Sequence, residues 1–216
     1  MDTSYAQKAA ALAGALLTAP RDLPRYLTHL PLWRRQPLDL GLPWFSYGAI
    51  RYLENHLRPG HDVFEYGSGG SSVFFARRAR RVLSVEQDAG WHAVVSARAA
   101  QLQLANLACE LHPLANDSLE AFRASGFSQR IQSATWDVVV VDCYCGYAAA
   151  QYGLIRPAAF ADALASVRPG GLVVLDDSWM YPESLRPPAG WEVTDFRGTG
   201  PCRYGVTSTA IFRRLA

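Results

Sequence analysis

Two patterns of apolar and polar residues alternate along the chain. Short, mainly apolar runs that are typical of buried strands cover residues 62–66, 81–87, 107–114, 136–143 and 172–178, and the run at 136–143 is strongly β-branched. Amphipathic runs with helical spacing lie between them, at residues 71–79, 89–104, 118–125 and 157–171. Continuous apolar strands that alternate with such helices indicate a parallel sheet covered on both faces. The sequence therefore predicts a doubly wound α/β fold with a Rossmann-like, mostly parallel sheet.

The C-terminal part of the chain departs from this alternation. Residues 191–198 and 206–215 are both strand-like, and the segment between them is too short for a crossover helix. The two runs are therefore expected to pair as a hairpin, which adds at least one antiparallel strand to the sheet.

The N-terminal segment is predicted to be a helix. Residues 9–20 are mostly Ala and Leu, which lose little side-chain entropy in a helix. The same residues have the character of a signal-peptide core, but Asp2 accompanies Lys8 where a signal peptide carries only positive charge. The helix is therefore the preferred interpretation.

A proline-punctuated segment separates this helix from the α/β pattern. It runs from residue 20 to residue 43, shows little periodicity, and predicts an extended or partly helical arm around the domain. A clear amphipathic helix follows, with Ser46 as its candidate N-cap. The chain is therefore expected to consist of an N-terminal helix and arm, residues 1–45, and one domain, residues 46–216.

The composition excludes some classes of partner but does not identify a function. A chain of 216 residues can bury a substantial single core, and a formal net charge of +2 gives no reason to expect nucleic acid as a partner. No apolar run approaches membrane-spanning length, so no membrane partner is expected. The four cysteines form neither a disulfide framework nor paired zinc ligands, which favours free thiols and a cytoplasmic location. The oligomeric state stays open, and a homodimer is compatible with the sequence.

The first predicted strand ends in a glycine-rich turn, VFEYGSGGSSVFF, at residues 63–75. A strand, a glycine turn and a helix start bring the backbone close to a ligand, because glycine has no Cβ. A dinucleotide site needs G-x-G-x-x-G, whereas Ser72 stands at the sixth position here. Glu65, two residues before Gly67, would repel a pyrophosphate but would suit a cation such as the α-ammonium of an amino acid.

A second acid follows the second predicted strand. Glu86 lies 19 residues after Gly67, where an acid accepts hydrogen bonds from ribose hydroxyls. An acid for an ammonium, glycines for close backbone approach and an acid for a ribose together describe S-adenosylmethionine.

The segments VFEYGSGGSS, VLSVEQD, WDVVVVDC and VRPGGLVVLDDSW resemble, in order and spacing, the successive motifs of class I S-adenosylmethionine-dependent methyltransferases. The resemblance covers the chain from about Ser46 to the C-terminus. It implies S-adenosylmethionine as the cofactor, with its ribose near Glu86 and its adenine near Asp117 and Ser118. The cofactor-binding residues that it implies are Glu65, Tyr66, Gly67, Ser68, Gly69, Glu86, Gln87, Asp117, Ser118 and Asp142.

Three acids are expected at the carboxyl edge of the sheet, where open α/β folds place their sites. Asp142 ends the fourth strand, and Asp176 and Asp177 end or follow the fifth, which makes all three candidate catalytic residues. They could hold a divalent cation that acidifies a substrate hydroxyl, a pattern that resembles the cation-dependent O-methyltransferases. Alternatively, Asp142 acts as a general base or hydrogen-bond partner without any metal. The metal-free alternative is preferred, because SWMYPE after Asp177 departs from the metal-dependent pattern.

The methyl acceptor does not follow from these motifs, because the sulfonium is already activated and catalysis is mainly positioning. Trp44 and Tyr47 are expected to cover the pocket. Aromatic residues that could form an acceptor site are Tyr144, Tyr147, Tyr152, Trp179 and Tyr181. The prediction is a methyltransferase for a small-molecule acceptor, with O-methylation slightly favoured. The alternative from another class is a non-catalytic module that binds S-adenosylmethionine or a nucleotide.

Overall fold

The computed structural model describes residues 5–30, 36–114, 118–143 and 155–216. Its α-helices are α1 (Tyr5–Thr18), α2 (Leu23–Thr28), α3 (Pro37–Leu40), α4 (Tyr47–His56), α5 (Gly70–Ala76), α6 (Ala89–Gln101), α7 (Leu119–Ala124), α8 (Gly126–Gln129) and α9 (Ile155–Ser166). Its strands are β1 (Asp62–Tyr66), β2 (Arg81–Glu86), β3 (Leu107–Leu111), β4 (Trp136–Val141), β5 (Val167–Asp176), β6 (Trp191–Gly198) and β7 (Thr207–Arg214). Short 3-10 turns lie at Pro20–Asp22, Arg130–Ser133, Ser178–Met180 and Pro182–Leu185.

The strands form one sheet in the order β3-β2-β1-β4-β5-β7-β6. All pairs from β3 to β5 are parallel. The chain first moves outward from β1 to β3 and then returns to the other side of β1, so the strand order reverses between β1 and β4. Ligands of open α/β sheets bind outside the carboxyl ends of the strands at such a point. The predicted doubly wound, mostly parallel sheet is confirmed.

Both faces of the central strands are buried, which explains their continuous apolar sequences. In β4, Val139 and Val141 belong to one hydrophobic cluster, whereas Val138 and Val140 belong to the cluster on the other side of the sheet. Successive side chains of a strand point to opposite faces, so a strand covered on both sides needs apolar residues at every position.

The predicted C-terminal hairpin is also confirmed. β7 pairs antiparallel with both β5 and β6. It is therefore inserted between the end of the parallel sheet and the edge strand β6, an arrangement that the spacing of the two runs alone did not indicate.

One predicted boundary is wrong. Residues 167–171 were assigned to a helix, but α9 ends at Ser166 and Val167 already pairs with Trp136 in the sheet. Pro169 cannot donate a helical hydrogen bond, and Gly170 adopts a φ of +80°. The next registered pair joins Leu172 to Val138, so the intervening residues bulge out of β5.

The N-terminal arm is partly helical, as predicted, and packs on the domain. Tyr26, Leu42 and Phe45 share a hydrophobic cluster with Ile50 of α4. Ser46 caps α4 as expected, since its Oγ accepts a hydrogen bond from the backbone N–H of Ala49 at 3.4 Å. A helix of membrane-spanning length and apolarity does not occur in the described parts of the chain.

Candidate active site

The turn after β1 contains three glycines, Gly67, Gly69 and Gly70, and each has different neighbours. Gly67 has a φ of +89°, and a Cβ there would lie 2.7 Å from the backbone oxygen of Asp142 at the end of β4. A Cβ on Gly70 would collide with the carbonyl oxygen of Leu42 and lie 2.7 Å from that of Pro37, both in the arm. Around Gly69, the nearest atoms would be 3.9 Å away. Gly67 and Gly70 therefore allow close backbone packing, whereas a Cβ on Gly69 would make only ordinary van der Waals contacts.

Ser72 explains why the third glycine of a dinucleotide motif is absent. Its Oγ accepts a hydrogen bond from the backbone N–H of Gly69 at 3.0 Å and donates one to Oε2 of Glu65. The hydroxyl thus ties the turn to the end of β1 from within the first turn of α5. The residue at this position stabilises the loop through its side chain.

Glu65 is completely buried at the carboxyl end of β1. Ser72 occupies Oε2, but Oε1 has no hydrogen-bond partner among the described residues. Burial raises the pKa of Glu65 to about 7, with a smaller opposing effect of the neighbouring serine hydroxyls. An unpaired buried carboxylate oxygen is costly, so this side chain has an unused capacity to accept from a donor or cation.

Glu86 ends β2 and lies beside the same turn. Its Oε2 accepts from the backbone N–H and the Oγ of Ser68, at 3.0 and 2.8 Å. Its Oε1 accepts from the backbone N–H groups of Gln87 and Asp88, at 2.8 and 3.0 Å. A carboxylate has about four lone-pair positions, so a ribose hydroxyl would have to exchange with one of these donors. The rotatable hydroxyl of Ser68 is the simplest one to displace.

The other proposed cofactor residues are distributed differently. The Tyr66 side chain lies in the core beneath the sheet, where its hydroxyl donates to the carbonyl of Ser128 at 3.2 Å. Only its backbone, which accepts from the Asp142 N–H at 3.0 Å, reaches the site. Ser118 caps α7 by accepting from the Ala121 N–H at 3.0 Å. Asp117 lies outside the described residues.

A buried arginine, Arg156, links the ends of β4 and β5. It lies in the first turn of α9, and its Nε and Nη2 donate to the carbonyl oxygen of Cys143 at 3.0 and 2.8 Å. Nη1 donates to the carbonyl oxygen of Asp176 at 3.1 Å. Sequence reasoning missed this residue, although it is the one basic residue of an otherwise mostly apolar helix.

The same guanidinium faces the acidic side chains at these strand ends. Nη2 of Arg156 lies 3.4 Å from Oδ1 of Asp142, and Nη1 lies 3.9 Å from Oδ2 of Asp177. Burial raises the pKa of Asp142 to about 7, while Arg156 opposes the shift and the Asp177 carboxylate adds to it. Arg156 therefore supplies the positive charge that lies between Asp142 and Asp177.

Asp176 and Asp177 are both held by hydroxyl groups of the hairpin. Asp176 is buried and accepts from Oγ1 of Thr209 at 2.7 Å, and burial raises its pKa well above the ordinary value. Asp177 accepts from Oγ1 of Thr207 at 2.9 Å and from Nε1 of Trp179 at 3.2 Å. Asp176 is therefore directed into the sheet, whereas Asp177 faces a partly open surface.

A cavity of about 410 Å³ lies between the glycine turn and the arm. This volume is typical of a site for a small molecule. Residues that line it include Pro37, Leu38, Trp44, Ser68, Gly69, Trp91 and Asp142. Trp91 was not anticipated; its Nε1 donates to the carbonyl of Ser68 at 2.7 Å, which fixes an aromatic wall beside the turn.

The aromatic residues expected near the site divide in the same way. Trp44 lines the cavity as predicted. The prediction for Tyr47 is wrong, because its side chain is fully buried and its hydroxyl lies 3.1 Å from Nδ1 of His29. Trp179 is exposed and Tyr181 is buried. The remaining aromatic candidates, Tyr144, Tyr147 and Tyr152, lie outside the described residues.

The described residues contain no group of three or more His, Cys, Asp or Glu side chains arranged to hold a metal ion. The acids at the ends of β4 and β5 are instead spaced around the Arg156 guanidinium.

No family model matches the sequence, and no curated protein matches it. Solved structures do match. The O-methyltransferase TomG from Streptomyces achromogenes, in complex with S-adenosylmethionine, has a TM-score of 0.58 at 20% identity, over 90% of this chain and 96% of TomG. An O-methyltransferase from Bacillus cereus with S-adenosylhomocysteine has a TM-score of 0.56 at 16% identity, over 98% and 100% of the two chains.

An rRNA methylase from Streptococcus thermophilus is also similar, with a TM-score of 0.56 at 11% identity over 85% of this chain and 99% of the methylase. The three proteins share one architecture, although two are O-methyltransferases and the third is an rRNA methylase. At these identities the likeness concerns the fold alone. The chain therefore has the fold of the class I S-adenosylmethionine-dependent methyltransferases.

Proposed function

We propose that the protein is an S-adenosylmethionine-dependent methyltransferase that acts on a small-molecule acceptor. The observation that carries this proposal is the buried Oε1 of Glu65, which has no partner among the described residues and lies at the switch point of the sheet, near Gly69 of the cavity wall. A buried carboxylate at this place favours a ligand with a positive charge and disfavours a pyrophosphate. This preference supports S-adenosylmethionine over a dinucleotide.

The residues present fit the cofactor group by group. Glu65 would accept from the α-ammonium, and the backbone at Gly69 would border the methionyl chain because no Cβ intervenes there. Glu86 would accept from the ribose hydroxyls after Ser68 Oγ has turned away. When bound, the cofactor supplies a methyl group on a sulfonium, from which the acceptor takes it as the carbon–sulfur bond breaks.

Asp142 is the proposed general base or hydrogen-bond partner of the acceptor. It lines the cavity, and its pKa of about 7 is suited to receiving a proton near neutral pH. Arg156 is a positioning residue that holds Asp142 through the 3.4 Å contact and fixes the end of β4. Asp176, buried and hydrogen-bonded to Thr209, has a structural role in this proposal.

The metal-free mechanism is favoured over the cation-dependent one. In the cation-dependent pattern, a divalent ion would lie among the acids at the ends of β4 and β5. Here the Arg156 guanidinium lies between Asp142 and Asp177, so a divalent cation would meet a positive charge at close range. The protein supplies its own cation to these carboxylates.

A small-molecule acceptor is favoured over RNA, although an rRNA methylase occurs among the fold neighbours. Three of the four arginines in the densest cluster are engaged in ion pairs within the protein. Arg80 and Arg81 pair with Asp62 at 2.7 and 3.2 Å, and Arg78 lies 3.8 Å from Glu54. Arginines that are already paired contribute little to phosphate binding. O-methylation is preferred slightly, in line with the O-methyltransferases among the neighbours.

A reducing, cytoplasmic location is part of the proposal. Cys109, Cys143 and Cys202 form no disulfide among the described residues, and two of them are buried. Buried cysteines outside disulfides usually pack as small apolar groups, and cysteines stay reduced in compartments where disulfides do not persist.

The first experiment is calorimetric titration of the cofactor-stripped protein with S-adenosylhomocysteine, with NAD and ATP as controls. Micromolar binding of S-adenosylhomocysteine alone is expected. Tighter binding of NAD would replace the proposal with a nicotinamide-dependent function. Binding of S-adenosylhomocysteine without turnover of S-adenosylmethionine on a broad panel of acceptors would favour a non-catalytic binding module.

A further inference from the structure

A second cavity, of about 550 Å³, lies between α1 and the β6–β7 hairpin. Its walls include residues near the end of β6, the segment before β7 and the exposed Trp179 that follows β5. The mechanism proposed above does not use this cavity. Its volume is large enough for a small aromatic molecule.

The charge of this second cavity is positive. Lys8, Arg197 and Arg203 line it, and the described residues that line it include no Asp or Glu. Within the described part of the chain, none of these three cations forms an ion pair. Asp195, which is on the same face of β6 as Arg197, accepts from Ser178 Oγ at 2.6 Å. Three cations around one concave surface attract an anion.

Arg203 gives this attraction a defined position. Its Nε is buried and has no hydrogen-bond partner among the described residues, although its Nη2 donates to the carbonyl of Trp44 at 3.0 Å. The guanidinium carbon lies 4.5 Å from the centre of the Trp44 ring. A buried donor without an acceptor is unfavourable, so this guanidinium, which lines the second cavity, keeps an unused capacity to donate.

Two exposed aromatic rings complete the second cavity. Trp179 and Tyr204 are 63% and 66% exposed, although both line this concave surface. Large aromatic side chains that stay accessible beside cations provide faces on which a planar ring can stack. The combination therefore selects for a molecule that is both aromatic and anionic.

The second cavity is connected with the proposed active site through shared residues. Trp179 and Thr207 line it, and both also donate hydrogen bonds to Oδ1 of Asp177. Arg203 borders it and packs on Trp44, which lines the cofactor-side cavity. A ligand here would lie one side chain away from both groups.

We infer that this second cavity binds the methyl acceptor and that the acceptor is an aromatic compound with an ionised carboxylate or phosphate group. The anionic group lies between Arg197 and Arg203, and the ring stacks on Trp179 or Tyr204. This inference rests on the proposed function for the acceptor role, but the binding site itself is tested independently of it.

The test compares 3,4-dihydroxybenzoate with catechol, which lacks only the carboxylate, in calorimetric titrations of the full-length protein. The carboxylate should improve the affinity at least about tenfold, and added salt should reduce that advantage. Arg197→Gln should reduce the difference in affinity between the two probes, and its combination with Arg203→Gln should abolish that difference. Arg186→Gln, at an exposed arginine that does not line the second cavity, is the matched control and should retain it.

Equal affinities for the two probes, no binding of the carboxylate, or an unchanged preference in Arg197→Gln would each overturn the inference. The single Arg197→Gln variant protects the test against misfolding, because that side chain is exposed and its Arg203 neighbour keeps the bond to Trp44. A separate titration with S-adenosylhomocysteine identifies failure of the proposed function. Loss of that binding would remove the acceptor role, while arginine-dependent binding of the carboxylate would still establish the site.

Discussion

Two groups of carboxylates lie at the same edge of the sheet, and their negative charges are compensated in different ways. At the ends of β1 and β2, Glu65 and Glu86 are surrounded by serine hydroxyls and backbone N–H groups, and Glu65 retains an unpartnered oxygen. At the ends of β4 and β5, Asp142 and Asp177 face the guanidinium of Arg156. Among the described residues, the first group has no positively charged partner, whereas the second contains Arg156.

This difference shows where an external cation is needed. A buried carboxylate is stable only when it is protonated, hydrogen-bonded or paired with a positive charge. The first group can gain such a charge from the ammonium of a ligand. The second is paired by the protein and is better suited to holding a reactive geometry than to recruiting a metal.

The largest effect is expected from removing the internal cation. Arg156→Met keeps much of the side-chain volume but leaves Asp142 and Asp177 without their positive neighbour, and leaves the carbonyl of Cys143 without its donor. Breaking a fully buried pair costs about 3–5 kcal/mol of unfolding free energy, and the loss here should lie near the lower end of that range because both carboxylates are more than a quarter exposed. Urea denaturation of the purified proteins measures the loss.

Arg186→Met is the control for that experiment. Arg186 pairs with Glu183 at 3.7 Å, but both side chains are more than four-fifths exposed, so the loss should be negligible. If the two variants were equally stable, Arg156 would not neutralise the second group and the comparison would be wrong.

The next effect concerns the unpartnered oxygen of the first group. Glu65→Gln keeps the shape and can still accept from Ser72, but it removes the negative charge. Affinity for S-adenosylhomocysteine should fall by about 2–4 kcal/mol, as expected for the loss of one partner of a buried charge pair. Calorimetry measures the affinity. Denaturation should show a fold at least as stable as the wild type, since an uncompensated buried carboxylate has gone.

A Glu65→Gln protein that binds normally would show that the carboxylate does not meet the ammonium. Early melting with normal binding would indicate that Glu65 is structural.

Substitutions of the adjacent Gly69 and Gly70 should distinguish an effect on packing from an effect on ligand binding. Gly70→Ala places a Cβ against the backbone oxygen of Leu42 and should cost about 1–3 kcal/mol of stability as the arm is displaced. Gly69→Ala meets no atom closer than 3.9 Å and should leave the denaturation midpoint nearly unchanged, yet weaken S-adenosylhomocysteine binding. If Gly69→Ala lost stability without a change in binding, and Gly70→Ala weakened binding without a loss of stability, the assignment of Gly69 to the binding surface would be wrong.

The dependence of binding on pH is expected to be about tenfold. Burial raises the pKa of Glu65 to about 7, so most of this carboxyl is protonated at about pH 6 and ionised at about pH 8. Only the ionised form attracts the ammonium, and affinity for S-adenosylhomocysteine should therefore increase about tenfold between these values. Titrations at both pH values test this.

The same titrations of Glu65→Gln should lose most of the pH dependence. Any part that remains would report Asp142, whose pKa burial also raises to about 7. A wild-type affinity that falls as pH rises would contradict the assignment.

Much of the frame could be predicted from the sequence because it depends on local pattern. The uninterrupted valines of β4 require burial on both faces, and Ser46 precedes its helix as a capping residue does. The glycine turn was located correctly, but its partners were not. Gly67 and Gly70 approach Asp142 and Leu42, contacts that join residues far apart in sequence and cannot be read from spacing.

The site was predicted less completely for the same reason. An arginine in a predicted helix is normally assigned to the solvated face, and only the folded chain shows that Arg156 turns inward to the ends of two strands. The prediction for Tyr47 has the opposite error, because a residue expected at the pocket is buried in the core. It precedes the core helix near the pocket in sequence, but its ring enters the core and contacts His29.

The smallest effect is expected from removing divalent cations, and it tests the second group most directly. Because Arg156 already lies 3.4 Å from Asp142 and 3.9 Å from Asp177, a chelator should leave turnover of S-adenosylmethionine unchanged, and added magnesium should not raise it. The measurement is S-adenosylhomocysteine production by dialysed enzyme with a productive acceptor. A loss of turnover in chelator that magnesium restores would show that a metal competes successfully with the guanidinium, and the two groups of carboxylates would then both depend on an external cation.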